Sequence, residues 1–254
     1  MLQTQKYESL AVLAGGVAHD FNNLLTGILG NVGLAAMDLP EQHRSAHASL
    51  AAIEKSAQRA ADLTRQMLAF SGKGRFVLQT LQLDELVRDA IGLLTSIVPG
   101  KVSLALETPS PPPPVEADAS QLRQALTNLV LNAVDAVAAE SGSIRVRVYG
   151  REALREDLEA MLGGETLPEG LYAVLEVSDD GVGMDEATLA RIFDPFFSTK
   201  FVGRGLGLAA TLGIVRGHRG AIRARSRPGG GSTFSLLFPS VSWSRLSAPG
   251  AKGC

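Results

Sequence analysis

Residues 171–183 read LYAVLEVSDDGVG: an apolar run from Leu171 to Ser178 with the texture of a strand, then Asp179-Asp180-Gly181-Val182-Gly183. Glycines at 181 and 183 let the chain take positive φ and approach a ligand closely just past the strand end. Two more glycine clusters follow in order. Gly203-Arg204-Gly205-Leu206-Gly207-Leu208 opens an apolar helical run, and Gly229-Gly230-Gly231 sits between two strands. Backbone N–H groups at a helix start favour phosphate. Taken singly, each cluster is an ordinary turn. Three in order, one with an aspartate at a strand end, are much less expected by chance. They also explain where much of the glycine goes: the chain has 27 among 254 residues, against roughly 7% in average usage.

Outward from this stretch, strands and helices alternate. Val102–Leu106, Ser143–Val148, Ala221–Ser226 and Thr233–Phe238 read as further strands, and Ala119–Ala139 as a long helix. Pro111–Pro114 is a rigid extended segment. Arg151–Leu162 reads as an extra helix inserted between two strands and stopped at Gly163-Gly164. This mixture predicts an α/β sandwich over 73–240, with 241–254 a flexible tail.

Residues 1–72 have a different texture. Leu10, Ala14, Val17, Phe21, Leu24, Ile28, Asn31 and Ala35 recur at spacings of four and three, the seam of a bundled helix. Asp38-Leu39-Pro40 breaks it. A second helix over Ser45–Phe70 carries Leu50, Ile53, Ala57, Ala60, Thr64 and Met67 on one stripe and stops at Ser71-Gly72-Lys73-Gly74. Two helices cannot close a core alone, so the antiparallel hairpin is expected to dimerise into a four-helix bundle. The fold class is α+β: a helical hairpin followed by an α/β sandwich.

Composition excludes several classes. With 45% hydrophobic and 20% charged residues the chain has material for a real core. A net charge of -2 gives no basic field for nucleic acid or an anionic membrane surface. The single cysteine, Cys254, rules out an internal disulfide framework and a multi-cysteine zinc site. The most apolar stretches, Leu24–Met37 and Ala125–Ala139, are interrupted by Asn31 and by Asn128, Asn132 and Asp135, well short of the ~18 apolar residues of a membrane helix. The start, MLQTQKYESLAVL, has no basic region leading into an apolar one. The expectation is a cytoplasmic chain with no membrane segment.

In order, the chain carries Asn128-Leu129-Val130-Leu131-Asn132-Ala133, DDGVG, IFDPFFSTK (192–200), GRGLGL and GGGSTF (229–234). These resemble the N, G1, F, G2 and G3 boxes of sensor histidine kinases, which share an ATPase superfamily with gyrase and chaperone ATPases. Upstream, His19-Asp20-Phe21-Asn22-Asn23 resembles their phosphoacceptor H box. The resemblance runs from about Leu10 to Pro239. It implies a dimerising phosphoacceptor hairpin and an ATP-binding domain. The implied reaction is ATP-dependent phosphorylation of His19, then transfer to an aspartate of a response-regulator receiver domain, with ATP and Mg²⁺ as cofactors and a homodimer as the assembly.

The residues fit these roles to different degrees. His19 lies two positions from both Val17 and Phe21, about 200° around the helix, so it points away from the seam into solvent. A nucleophilic imidazole must be neutral and reachable. In the family the acid at the position of Asp20 takes the proton that imidazole sheds, and the residue at Asn23 aligns a water for dephosphorylating the partner. Without the resemblance, Asp20 and Asn23 are polar residues on a wet helix. Asn128 and Asn132 share a face of an otherwise apolar helix and need polar partners. Hydrated Mg²⁺ bridging the phosphates is one, and helix–helix hydrogen bonding the other. Hydrolytic superfamily members place a glutamate at position 128; the asparagine favours transfer to protein. Asp179 resembles the carboxylate that accepts the adenine amino group, or else forms a strand-end Asx turn. Gly181 and Gly183 turn beneath the base, Gly203, Gly205, Leu206 and Gly207 bring N–H groups to phosphate, and Thr233 belongs to the G3 box. Phe193, Phe196 and Phe197 flank the expected ATP lid or are core aromatics.

The chain departs from the pattern at Asp135, where many kinases carry a basic residue; Lys200 and Arg204 are its expected substitutes. Arg204 replaces a small hydroxyl residue. Gly15-Gly16 is expected either to bend the helix before His19 or to allow close packing. An inert phosphotransfer or scaffold protein predicts degenerate glycine boxes, and a gyrase-type ATPase predicts Glu at 128 and no H box. The residues match neither.

Overall fold

The computed structural model describes residues 21, 24–40, 42–70, 77–137, 141–199 and 205–241. His19, Asp20, Asn23, Lys200, Gly203 and Arg204 lie outside them, as do Gly15-Gly16 and the tail beyond 241. The chain divides into two compact units, Met1–Gly74 and Arg75–Cys254.

In the first unit, helix α1 (24–38) ends where Leu39-Pro40 forbids its continuation. The turn is held by the His43 N–H on the Pro40 carbonyl at 3.0 Å and by His47 Nε2 on the Leu39 carbonyl at 3.2 Å. Helix α2 spans Arg44–Phe70. The inner face of α1 is one residue out of phase with the expected seam. Leu25 and Val32 are buried and Leu29 and Ala36 half-buried, whereas Phe21 (53%), Leu24 (64%) and Ile28 (44%) are exposed. On α2, Ala57 and Thr64 are buried and Leu50 and Ala60 half-buried, while Ile53 is exposed. Helix α1 thus carries two adjacent heptad stripes, one used within the hairpin and one uncovered in the single chain.

The second unit is a two-layer sandwich. Its elements are β1 (Gln79–Leu81), α3 (Leu83–Leu94), β2 (Val102–Glu107), β3 (Val115–Ala117), α4 (Ala119–Val137), β4 (Gly142–Ala153), α5 (Arg155–Glu159), β5 (Gly170–Asp179), α6 (Glu186–Leu189), α7 (Gly207–Gly217), β6 (Ala221–Ser226) and β7 (Ser232–Pro239). The main sheet has order β2-β4-β5-β7-β6, with β2 parallel to β4 and the other pairs antiparallel. β1 and β3 form a separate antiparallel pair. Strand alternation sends Val146, Val148, Leu175, Val177, Phe234 and Leu236 to the face covered by α4 and α7, all nearly inaccessible. The other face carries Arg145, Arg147, Glu176, Thr233 and Ser235. There Arg145 pairs with Glu107 at 3.0 Å and Arg147 with Glu176 at 3.2 Å.

The segment expected as a helix over Arg151–Leu162 differs. β4 continues through Ala153 because Arg151, Glu152 and Ala153 pair with Tyr172, Leu171 and Gly170, and only Arg155–Glu159 is helical. Cross-strand pairing overrides local helix propensity here.

A buried polar group joins the start of α4 to the end of α7. The Asp118 N–H donates to His218 Nε2 at 2.9 Å, and His218 Nδ1–H donates to the Ile214 carbonyl at 2.7 Å. The Asp118 carboxylate caps α4, accepting from the Ser120 N–H and hydroxyl and the Gln121 N–H, and also takes the Val77 N–H at 3.0 Å. Burial opposes its charge, but the hydrogen bonds from Ser120, Val77 and Gln121 outweigh that and hold the carboxyl below its usual range.

His218, 5% exposed, must be neutral to accept at Nε2. Burial lowers its pKa, with the Ile214 hydrogen bond and the Asp118 charge opposing. The unfolded chain therefore takes up a proton near pH ~6.5, whereas the folded one does so only lower. The contribution of this group is complete above that pH and is lost as pH falls through the folded value. Urea midpoints should drop between pH 7 and 5.5, and His218→Gln should show a shallower drop; equal slopes for the two proteins would contradict the assignment.

Candidate functional site

A cavity of about 160 Å³ opens in the second unit where β5 ends. Asp179 is the last residue of β5 and faces the helix layer in register with Ile144 and Ser232. From α4 come Asn132, Asp135 and Ala136, at spacings that put them on one side of the helix. Thr188 of α6 and Ile192 close another wall, with Phe197, Ser198 and Thr199 beyond them. Gly205 and Leu208 bring the start of α7 to the rim.

The sequence-derived residues are brought together unevenly. Asn132, Asp179, Gly183 and Gly205 line the cavity. Among the described residues no hydrogen bond engages the Asn132 amide. Asn128 points instead to α7, its Nδ2 donating to the Gly207 carbonyl at 3.1 Å and to Thr211 Oγ1 at 3.4 Å. Of the two readings open for these asparagines, helix–helix bonding thus describes the amide NH₂ of Asn128. Leu206 is buried at the cap of α7 rather than lining the cavity. Asp179 Oδ1 accepts the Gly181 N–H at 2.9 Å, so the Asx turn and a place in the cavity wall coexist.

Thr233 lies on the opposite face of the sheet. Its hydroxyl donates to Ser178 Oγ at 3.1 Å, and its neighbours Ser232 and Phe234 line the cavity instead. Period-two alternation forces this split, and it was the signal that could have found Ser232 and Phe234. Of the F-box aromatics, Phe193 is core, Phe197 lines the cavity beneath the Arg191 guanidinium at 4.3 Å, and Phe196 is exposed. Phe196 holds a φ of 64° and donates its N–H to the Gly205 carbonyl at 2.9 Å, joining the F-box turn to the segment that leads into α7. Met184 and Thr188 have no sequence signal of their own, whereas Ile192 opens the IFDPFFSTK box.

The loop carrying Gly181–Gly183 is bonded to the Gly229–Gly231 turn. Gly229 N–H donates to the Val182 carbonyl at 2.7 Å and Gly231 N–H to the Gly181 carbonyl at 3.0 Å. Met184 N–H reaches Ser226 Oγ at 2.8 Å. Gly183 has a φ of 64°, and a Cβ there would overlap the Arg227 carbonyl. Beside it, the N–H and hydroxyl of Ser143 bind the Asp180 carboxylate at 2.8 and 2.9 Å, and the backbone bond holds it below its usual range.

A two-layer sandwich with an asparagine helix and an aspartate at the strand end defines an ATPase-type domain. Residues 117–242 match the family described as histidine kinase-, DNA gyrase B-, and HSP90-like ATPase, and residues 9–74 match the His Kinase A (phospho-acceptor) domain. The chain belongs to the sensor histidine kinases, with both parts of their catalytic core. It is 38% identical over 244 residues to the sensor kinase CckA of Brucella abortus, covering 94% of this chain and 25% of that protein. It is 31% identical over 240 residues to the histidine kinase AtoS of Escherichia coli, covering 94% of this chain and 36% of that one. Full-length ShkA, crystallised with AMPPNP, matches with a TM-score of 0.66 and 26% identity, over 89% of this chain and 45% of that one. The chain thus spans about a quarter to a third of the length of these two curated relatives. Among the described residues no helix is long and apolar enough to cross a membrane.

The two glycine positions can be separated experimentally. Gly183 and Gly229 both have positive φ, but nothing surrounds a Cβ at Gly229. Gly229→Ala should cost about 1 kcal/mol for its backbone. Gly183→Ala should cost at least about 1 kcal/mol more, a further ~2–4 °C in Tm. Equal losses in thermal melts would refute the close approach to Arg227.

Proposed function

We propose that this chain is the catalytic core of a two-component kinase that moves the γ-phosphoryl group of ATP to His19 and then to an aspartate of a response-regulator receiver domain. The observation that carries the reading is the meeting of Asn132, Asp179 and Gly205 in one cavity, in a chain that also has a phosphoacceptor domain. The proposed division is 1–72 for the phosphoacceptor hairpin, 73–240 for the ATP domain and 241–254 for a tail. ATP as phosphoryl donor implies the cytoplasm.

The roles follow from chemistry. Asp179 accepts the adenine amino group, with Gly181 and Gly183 shaping the turn beneath it. Gly203, Gly205, Leu206 and Gly207 present N–H groups to the phosphates, where the start of α7 favours negative charge, and Lys200 and Arg204 supply cationic side chains. The Asn132 amide lines the cavity and has no hydrogen bond among the described residues, so it and the carbonyl oxygen of Asn128 would hold a hydrated cation there. Bound there, Mg²⁺ would neutralise phosphate charge. His19 attacks phosphorus as the β–γ bridging P–O bond breaks; an N–P bond forms, ADP leaves, and Asp20 takes the imidazole proton. Asn128 cannot take a proton from water as a carboxylate would, which favours transfer over hydrolysis. Asn23 is the proposed water-aligning residue for dephosphorylating the regulator.

A homodimer accounts for the second stripe of α1. Phe21, Leu24 and Ile28 are exposed in the single chain, and a second hairpin would cover them. Leu24→Lys combined with Ile28→Lys should give monomers by light scattering with helical circular dichroism retained. Val32→Lys, inside the hairpin, should instead lose helicity. Dimers of the double variant would sink this arrangement.

The reaction is tested with γ-labelled ATP and Mg²⁺. Label should appear on the protein, survive alkali and be lost in acid. His19→Gln should bind nucleotide with unchanged affinity and take up less than about one hundredth of the label; normal labelling of that variant would overturn the proposal.

A further inference from the structure

The two helices that reach the nucleotide cavity are tied to each other at two places. At the cavity end the Asn128 amide of α4 donates to the Gly207 carbonyl and to Thr211 Oγ1 of α7. At the far end Asp118, which caps α4, donates its N–H to His218, and His218 donates to the Ile214 carbonyl of the last turn of α7. Between the ties the packed helices carry fully buried apolar residues, Leu122, Ala125 and Leu126 on α4 and Ala210 on α7. Apolar packing is non-directional; it covers the faces but resists sliding along the helix axis weakly. The hydrogen bonds have direction. We infer that His218 is a positioning residue for nucleotide binding: its ring fixes the axial register of α7 on α4, and so the place of Gly205 and Leu208 opposite Asn132 and Asp135.

The ring suits this task. It is buried on the edge of Phe238, with centroids 6.3 Å apart and planes perpendicular. Its two nitrogens bind groups from different elements, which fixes one tautomer, with the proton on Nδ1. The same Asp118 that feeds Nε2 takes the Val77 N–H on its carboxylate. One residue therefore joins the segment entering the ATP domain, the start of the asparagine helix and the end of the glycine-box helix. If the His218 tie is lost, only the Asn128 bonds oppose a shift of α7, and nucleotide must restore the rest of its register on binding. That cost appears as lost affinity. The phosphoryl-transfer step occurs after the register is restored, so kcat should be spared while KM rises.

The inference rests on the cavity being the nucleotide site, and the variants separate the two ideas. The full chain is titrated calorimetrically with AMPPNP and Mg²⁺, and KM for ATP and kcat are measured for autophosphorylation. His218→Leu keeps apolar bulk but removes both bonds; affinity should fall and KM rise about ten-fold, with kcat within about two-fold. His218→Gln can offer an oxygen to the Asp118 N–H and should restore both values to within about two-fold of the parent. If His218→Leu fails to fold, His218→Asn replaces it: its amide reaches the Ile214 carbonyl but falls short of Asp118, and KM should again rise. Unchanged KM in whichever of these variants folds, or a glutamine variant as impaired as the leucine one, overturns the positioning role. A purely structural histidine would lower Tm and leave KM of the folded protein alone. Asp179→Asn should abolish nucleotide binding; if it binds like the parent, the reading of the cavity fails, whatever His218 does.

Discussion

Two backbone hydrogen bonds hold the wall of the cavity. The loop after β5 offers the carbonyls of Gly181 and Val182, and the Gly229–Gly231 turn returns its N–H groups to them at 3.0 and 2.7 Å. These groups lie between a strand end and a hairpin, where no ladder would satisfy them, and leaving them unpaired would be costly. Gly231 has a φ of 69°, and a Cβ there would overlap the Asp179 carbonyl. The glycines in these two boxes thus serve contact between loops. Once the loops are joined, Asp179 is fixed at the cavity wall by its own turn to Gly181. Preorganisation of this kind moves the cost of ordering from binding to folding.

The second constraint is that α4 serves two surfaces. Leu122, Leu126, Leu129 and Val130 are fully buried in the helix layer, yet the same helix must carry polar groups into the cavity. Asn132 and Asp135 do so from its C-terminal half, while Asn128, one turn earlier, reaches α7. An asparagine at 128 is thus structural through its NH₂. A glutamate there could not donate to the Gly207 carbonyl, so the asparagine helps to hold α7 in place.

What could be read from residues alone was whatever a local pattern dictates. Strands such as Ala221–Ser226 stand as expected because alternation is local, and glycine boxes are legible because few other residues take positive φ. Local pattern fails where the deciding partner is distant in sequence. The expected α1 seam is one residue out of phase because the helix is apolar on two adjacent stripes, and periodicity does not say which one the hairpin uses. Helix was expected at Arg151–Ala153 because nothing local announces pairing with Gly170–Tyr172. The box groups Thr233 with the site, although alternation sends it to the other face. The tie between Asp118 and His218 spans a hundred residues, and neither residue belongs to any box.

The segment between β4 and β5 shows how such distant pairing closes the fold. On the face away from the helices, one row of the sheet is apolar: Tyr149, Val174, Leu237 and Ala221. In a plain sandwich that row would meet water. Here Leu158, Met161 and Leu167 fold over it, and with Ala153 and Tyr172 they make a small second core. The Tyr172 hydroxyl finds the Pro168 carbonyl at 2.6 Å, and burial pushes its phenol up to about 12. The same segment reaches the outer edge of the sheet. Leu162 and Ile222 exchange both backbone hydrogen bonds, at 2.9 and 3.1 Å, which occupies β6 where an open edge would invite pairing with another chain. Strand β6 follows directly from α7 through His218 and Gly220, so covering its edge also steadies the end of the helix that His218 ties to α4. Distant from the cavity, the insertion acts on the same helix as the glycine boxes do, from its other end.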